Sequence, residues 1–169
     1  MTPTKILFIC HGNICRSTMA QYVMQHLVEE AGVADMFCID SAATTTEEVG
    51  NGVHHGTRKV LAKHGVYCGS HRARKMQAAE YDDFDLIIAM DRENLHGLAR
   101  ILGEKVSWRD DAAAAIRRAD PAGKIHLLMD YTDRPGDVED PWDTGDLDTT
   151  WDDVWEGCGR LLESLLAAG

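Results

Sequence analysis

The strongest constraint on the fold is a change of hydrophobic rhythm close to the start of the chain. Ile6-Leu-Phe-Ile-Cys10 is an unbroken apolar run, the pattern of a strand covered on both faces in a parallel sheet. The run stops at His11-Gly12-Asn13. From Ser17 the apolar residues Met19, Ala20, Val23, Met24, Leu27 and Val28 recur at helical spacing until Gly32 supplies a C-terminal stop. This is strand, short loop, helix, a unit that must be repeated before it can close a core.

The repetition is visible downstream. Met36 to Asp40 reads as a second strand, Thr57 to His64 as a helix closed by Gly65, and Asp85 to Met90 as a third strand. Asp91 is placed to cap the helix that carries Leu95, Leu98, Ile101 and Leu102 and ends at Gly103, and Lys124 to Met129 reads as a further strand. Asp110 to Ala119 looks like a short additional helix stopped by Asp120-Pro121. A last helix is expected from about Thr150, with Thr150 and Asp153 as a capping box and Trp151, Val154, Trp155, Cys158, Leu161, Leu162 and Leu165 as its packing stripe. Alternating strands and helices imply a doubly wound sheet whose ligands bind beyond the carboxyl ends of the strands. With 169 residues and no linker or repeat, the whole chain, residues 1–169, is expected to be one domain.

Composition narrows the partners. Lys and Arg total 17 against 28 for Asp and Glu, a formal charge of −11, which repels nucleic acid and anionic membrane. No apolar run approaches the length of a membrane span, and Met1-Thr-Pro-Thr lacks a basic signal region, so a soluble cytoplasmic protein is expected. The odd set of cysteines, Cys10, Cys15, Cys38, Cys68 and Cys158, shows no paired framework, so reduced thiols are expected. His54, His55, His64 and His71 lack ligand spacing, and no metal is expected.

The same negative field opposes an anionic substrate, so a phosphate site has to be locally positive. Cys10 to Ser17 meets that requirement at the end of the first strand. A tight turn there aims backbone N–H groups inward, Gly12 supplies permissive dihedrals, and the following helix adds positive potential at its N-terminus. Arg16 brings a planar fork for two phosphate oxygens and favours the thiolate of Cys10 as a nucleophile. A nucleotide loop is the weaker competitor, because Gly12 is followed by neither Gly-Lys-Ser nor Gly-x-x-Gly.

Cys10-His-Gly-Asn-Ile-Cys-Arg-Ser17 resembles the signature C-x-G-N-x-C-R-S of the low-molecular-weight protein tyrosine phosphatases. Ser41-Ala42-Ala43, Ser70-His71-Arg-Ala-Arg74, Phe84-Asp85, Met90-Asp91 and Asp140-Pro141-Trp142 follow in the family's order. The resemblance implies a flavodoxin-like three-layer α/β domain with a four-stranded parallel sheet, and hydrolysis of protein phosphotyrosine through a phosphocysteine without cofactor. It makes Cys10 the nucleophile, Arg16 the phosphate ligand and Asp140 the general acid. His11, Gly12, Asn13, Ile14, Cys15 and Ser17 complete the phosphate loop, Ser41 and His71 support it, and Glu47 and Trp142 form pocket walls. Phosphotyrosine proteins are the implied substrates, with room for a cognate tyrosine kinase. The Asp140 role also has its own chemical logic, since a phenolate leaving group needs a proton, Pro141 stiffens the turn and Trp142 can flank an aromatic ring. Asp137 and Asp143 are the decoys in the same acidic stretch. Cys15 either packs or closes a reversible disulfide with oxidised Cys10.

The sequence departs from the family at Thr18, commonly Pro, at Gln21, commonly Glu, and at Glu47, where an aromatic or apolar wall is usual. The first two are expected to be harmless, and Glu47 bears on substrate choice. The segment near Ala112 to Arg118 is longer than usual. Competing readings of the same fold are a thioredoxin-coupled arsenate reductase, which needs two further neighbouring cysteines where Cys38, Cys68 and Cys158 stand far apart in sequence, and a protein-arginine phosphatase, whose members tend to carry Thr where Ile14 stands. A non-catalytic phosphate-binding module is the competitor from another class.

Overall fold

The computed structural model describes residues 2–169. Four parallel strands, β1 (Thr4–Cys10), β2 (Phe37–Ala43), β3 (Leu86–Ala89) and β4 (Ile125–Leu127), lie in the order β2-β1-β3-β4. The helices are α1 (Arg16–Glu30), α2 (His55–Lys63), α3 (Glu80–Asp83), α4 (Arg92–Ile101), α5 (Ala112–Ala119), α6 (Pro141–Thr144) and α7 (Leu147–Ala168). This is the flavodoxin-like three-layer architecture expected from the sequence.

The continuous apolar run of β1 is explained by its central place in the sheet. Side chains alternate across a strand, so Ile6, Phe8 and Cys10 pack with Met19, Val23, Trp151 and Val154 of α1 and α7. Leu7 and Ile9 face the other way, into a second cluster with Leu95, Leu98, Ala112 and Ile116 of α4 and α5. Each such fully buried aliphatic side chain contributes about 1.5–3 kcal/mol, which holds the end of β1 rigid where the loop begins.

Several boundaries differ from the sequence reading. β2 runs to Ala43 rather than ending at Asp40, because its last residues stay in parallel register with Phe8, Ile9 and Cys10. That extension places Ser41 beside the loop. β4 ends at Leu127, and Leu128–Tyr131 forms a 3₁₀ turn instead of continuing the strand to Met129. α2 begins at His55, capped by the His54 ring. α7 begins at Leu147 rather than near Thr150, and its cap is Asp146, whose side chain accepts from the Thr149 amide at 3.0 Å. Thr150 is buried inside the helix, and its hydroxyl donates to the Asp146 carbonyl instead of capping. The expected cap at Asp91 is present as a reciprocal pair: Asp91 accepts from the Asn94 amide and the Asn94 side chain accepts from the Asp91 amide. The additional helix is α5, which starts at Ala112, just after its cap Asp111, rather than at Asp110.

Candidate active site

β1 ends at Cys10 and α1 starts at Arg16, so the intervening loop turns tightly around the helix N-terminus. Asn13 is the one non-glycine residue with positive φ, 62°, among the described residues. Asparagine tolerates that left-handed conformation, and its side chain holds it there. The amide Nδ2 donates to Ser17 Oγ at 2.8 Å and to Ser41 Oγ at 2.9 Å, while Oδ1 accepts from the Arg74 amide at 3.2 Å. His71 Nε2 stands 2.7 Å from the same Oδ1. An amide oxygen only accepts, which assigns the imidazole proton to Nε2. Burial of His71 pushes its pKa below the ordinary histidine value, Asp40 opposing and Arg74 reinforcing the shift.

The direction of these bonds continues to the sulfur. Ser17 Oγ already receives the Asn13 amide proton, so its own proton is free for Cys10 Sγ, 3.0 Å away. The Asn13 backbone amide donates to the same sulfur at 3.3 Å. Two donors therefore converge on a cysteine that is only 3% exposed, at the positive end of α1. Ser41 passes its hydroxyl proton on to Gln21 Oε1 at 2.5 Å, so Gln21 is a working acceptor in this network. Thr18 is also accommodated, its buried hydroxyl donating to the Cys15 carbonyl at 2.9 Å.

Arg16 is equally buried. Nη1 donates to Asp91 Oδ2 at 2.5 Å and to the Val138 carbonyl at 2.8 Å, and Nη2 donates to Asp140 Oδ2 at 3.3 Å. Burial alone lowers the guanidinium pKa, but Cys10, Asp91 and Asp140 together raise it above its ordinary value. Asp140 also accepts from the Trp142 amide through Oδ1 at 3.1 Å, which makes it the N-cap of α6 with Pro141 as the first helical residue. The structural and catalytic readings of Asp140 thus fall on different oxygens of one carboxylate. Asp137 is turned away and tied to Arg92, accepting from its amide at 3.1 Å.

These groups open into a cavity of about 350 Å³ whose floor is the loop from Cys10 to Arg16 and whose walls are Glu47, Glu48, Asp140 and Trp142. Glu47 is further held by His11, with Nε2 to Oε2 at 2.9 Å. Ile14 lines the same space. Cys15 faces Thr57, whose hydroxyl donates to its sulfur at 3.1 Å, and burial pushes its thiol up to about 12. All residues singled out in the sequence as nucleophile, phosphate ligand, acid, loop support and wall therefore meet around one cavity or its immediate backing. Sequence reading missed Glu48, the acceptor role of Gln21, and the second role of Asp91 as a partner of Arg16. The last pair lies 75 positions apart, and no local spacing signals such a contact. Among the described residues no group of three or more His, Cys, Asp or Glu side chains is arranged to hold a metal ion.

A thiol with converging donors, a buried guanidinium and a carboxylate at the mouth of a strand-loop-helix turn define the class of cysteine-dependent phosphatases. The chain matches the family model described as low molecular weight phosphotyrosine protein phosphatase over residues 5–168. It is 33% identical over 162 residues to the low molecular weight protein-tyrosine-phosphatase YfkJ of Bacillus subtilis, covering 95% of this chain and 94% of the relative. It is 34% identical over 162 residues to the low molecular weight phosphotyrosine protein phosphatase of Rattus norvegicus, covering 95% and 92%. The crystal structure of YfkJ superposes with a TM-score of 0.83 at 30% identity, over 99% of this chain and 98% of that one. A Drosophila arginine phosphatase superposes with a TM-score of 0.78 at 29% identity, over 96% and 98%. The chain belongs to the low molecular weight phosphotyrosine protein phosphatase family.

Proposed function

We propose that the chain hydrolyses phosphotyrosine in proteins by two displacements at Cys10, with Asp140 moving the proton and Arg16 holding the phosphoryl oxygens. The observation that carries this reading is the polarity of the bonds around the sulfur: Asn13 fills the lone pair of Ser17, and Ser17 is left to donate to Cys10. In the first displacement the thiolate attacks phosphorus, the phosphorus–oxygen bond to tyrosine breaks, and the Asp140 carboxyl gives its proton to the departing phenolate oxygen. In the second, the Asp140 carboxylate takes a proton from water as that water attacks the phosphocysteine, and the thiolate departs under the Ser17 and Asn13 donors. Arg16 and the loop amides stabilise the equatorial oxygens through both steps. To meet phosphate, the guanidinium has to share donors now given to Asp91 and Asp140.

Ile14 supports tyrosine over arginine, because an apolar branched wall suits a phenyl ring better than a guanidinium-linked phosphate. Cys38 on β2, Cys68 beyond α2 and Cys158 inside α7 offer no arranged pair for an arsenate relay. Five free thiols suit a reducing cytoplasm, and no described helix is long and apolar enough to cross a membrane. Phosphotyrosine as substrate implies a tyrosine kinase acting upstream. The test compares phosphotyrosine, phosphoarginine and phosphoserine peptides, and arsenate with thioredoxin, on the wild type and on Cys10→Ser. Turnover confined to phosphotyrosine and abolished in Cys10→Ser, with phosphate still bound, is the expected result. Phosphoarginine cleaved as fast as phosphotyrosine would overturn the assignment.

A further inference from the structure

A second cavity, of about 240 Å³, lies directly behind Trp142 and is lined by Cys15, His54, Pro141, Trp142, Gly145 and Leu147. Two of those residues, Cys15 and Trp142, also line the catalytic cavity, so the indole is a partition between the two spaces. Their chemistry differs. The catalytic mouth carries Glu47, Glu48 and Asp140, whereas no carboxylate, ammonium or guanidinium lines the second cavity.

Its walls are fixed by the backbone. The His54 amide donates to the Ile14 carbonyl at 2.8 Å and the His54 ring accepts from the Gly56 amide at 3.2 Å, leaving the ring edge-on to Trp142 with centroids 5.5 Å apart. Leu147 seats against Gly56 so closely that a Cβ there would stand 2.5 Å from its Cδ1. Only glycine lets that leucine lie flat. Trp142 itself is 68% exposed, a large apolar surface held out beside a substrate cavity.

We propose that this cavity is a subsite for a large apolar side chain two residues from the phosphotyrosine of a peptide substrate. The inference rests on the phosphotyrosine reading above and names which peptides that reading favours. A phosphotyrosine reaching down to Cys10 leaves its backbone at the mouth, beside Trp142. An extended peptide advances about 3.3 Å per residue and turns successive side chains to opposite faces. The side chain two residues from the phosphotyrosine therefore lies on the same face, about 6.6 Å along, and falls across the indole into the adjoining space. The volume is below the roughly 300–1,000 Å³ of pockets that take whole small molecules and suits one side chain. Neighbouring Asp or Glu on the peptide would instead meet the carboxylates of the mouth.

The experiment measures kcat/KM for phosphotyrosine peptides with Leu, Phe, Gly or Asp two residues from the phosphotyrosine, on either side, alongside p-nitrophenyl phosphate. Wild type, Leu147→Ser and Gly145→Asn are compared. Gly145 has φ 71°, a conformation asparagine tolerates, and a Cβ there meets no atom within 4 Å, so that variant adds a polar side chain to the cavity lining without a clash. The wild type is expected to favour Leu and Phe over Gly by about tenfold, the usual reach of an apolar subsite. Both variants should bring the peptides within about twofold, mainly through KM, with p-nitrophenyl phosphate turned over at the wild-type rate. Equal kcat/KM for Leu and Gly peptides on the wild type would overturn the proposal, as would a preference that survives in both variants. Specific activity falling as enzyme concentration rises would give the cavity to a second copy of the chain, and the proposal would fall. Absence of turnover on every substrate, p-nitrophenyl phosphate included, would sink the phosphatase reading and the subsite with it.

Discussion

Ser17→Ala removes one oxygen from a fully buried position and leaves Asn13 Nδ2 its second partner, Ser41 Oγ at 2.9 Å, so the fold has little reason to change. The sulfur loses the hydroxyl donor 3.0 Å away and keeps the weaker amide contact at 3.3 Å. A hydrogen bond to a charged group contributes about 1.5–3 kcal/mol. At about 1.4 kcal/mol per decade, its loss slows the step that most depends on it by about 10- to 150-fold. That step is the second displacement. In the first, a less stabilised thiolate is scarcer but more nucleophilic, and the two changes partly cancel. In the second, the thiolate is the leaving group and nothing offsets the missing donor. Rapid-quench measurements on p-nitrophenyl phosphate are therefore expected to show a full burst of nitrophenol and an accumulated phosphoenzyme. Asn13→Gly keeps the backbone at φ 62° without strain and frees the Ser17 hydroxyl to rotate, so it should show the same imbalance to a smaller degree. Wild-type kcat in Ser17→Ala, with no phosphoenzyme accumulating, would refute the argument that bond polarity at Ser17 serves the thiolate.

Asp140→Asn keeps the α6 cap, since asparagine accepts from the Trp142 amide as well as aspartate does; it is expected to slow phosphotyrosine cleavage by about 10²–10⁴-fold while aryl phosphates with very acidic phenols lose much less. Asp137→Asn and Asp143→Asn should leave the dependence on leaving-group acidity unchanged, and a steepened dependence in either decoy alone would move the acid elsewhere. His71 has a folded pKa depressed below the ordinary 6.5, mainly by burial, so the unfolded chain binds its proton first and stability present above 6.5 is lost as pH falls toward the lower folded value; His54 is shifted in the same direction by burial, and thermal unfolding against pH should flatten in that window when both are replaced by Gln. Peroxide is expected to inactivate through Cys10 with Cys15 closing a reversible disulfide, slowly at neutral pH because burial pushes the Cys15 thiol up to about 12. Mass analysis should find the bridge, and dithiol should fail to restore Cys15→Ser; full recovery of that variant would exclude Cys15 as the resolving thiol.

The parts of this molecule that were legible in the sequence are those whose cause is local. The unbroken run of β1, the stop at Gly32 with φ 71° and the cap at Asp91 each follow from a few consecutive residues, whereas the left-handed residue of the loop is Asn13 and not Gly12, the residue expected from the sequence to supply the permissive dihedrals. The misplacements share a different cause. β2 extends through Ser41 because β1 supplies backbone partners there, and β4 stops short because its partner register with β3 ends at Leu127; neither fact is written in the strand itself. α7 starts at Leu147 because Asp146 satisfies its first amides, a cap hidden in a stretch where many aspartates could serve. For the site, a single sequence supplies the loop from its composition, but Ser41 and His71 entered only through resemblance to a family, and Asp140 through that resemblance backed by the chemistry of its Pro141-Trp142 context.

Asp91 shows why that division falls where it does. Its cap geometry follows from three residues, yet its Oδ2 reaches Arg16 across 75 positions while Oδ1 accepts from the Asn94 amide. The same division of labour recurs at Asp140, where Oδ1 holds the Trp142 amide and Oδ2 meets Arg16. In both cases a helix cap fixes a carboxylate through one oxygen and presents the other to the guanidinium. A short capped helix is thus the means by which two distant segments deliver negative charge to one buried cation. Because a buried guanidinium is costly unless paired, the two carboxylates keep Arg16 at the cavity floor before phosphate arrives, and an incoming phosphate dianion competes with Asp140, the longer contact at 3.3 Å, before Asp91 at 2.5 Å. The residue released first is the one that the mechanism proposed above uses as its acid.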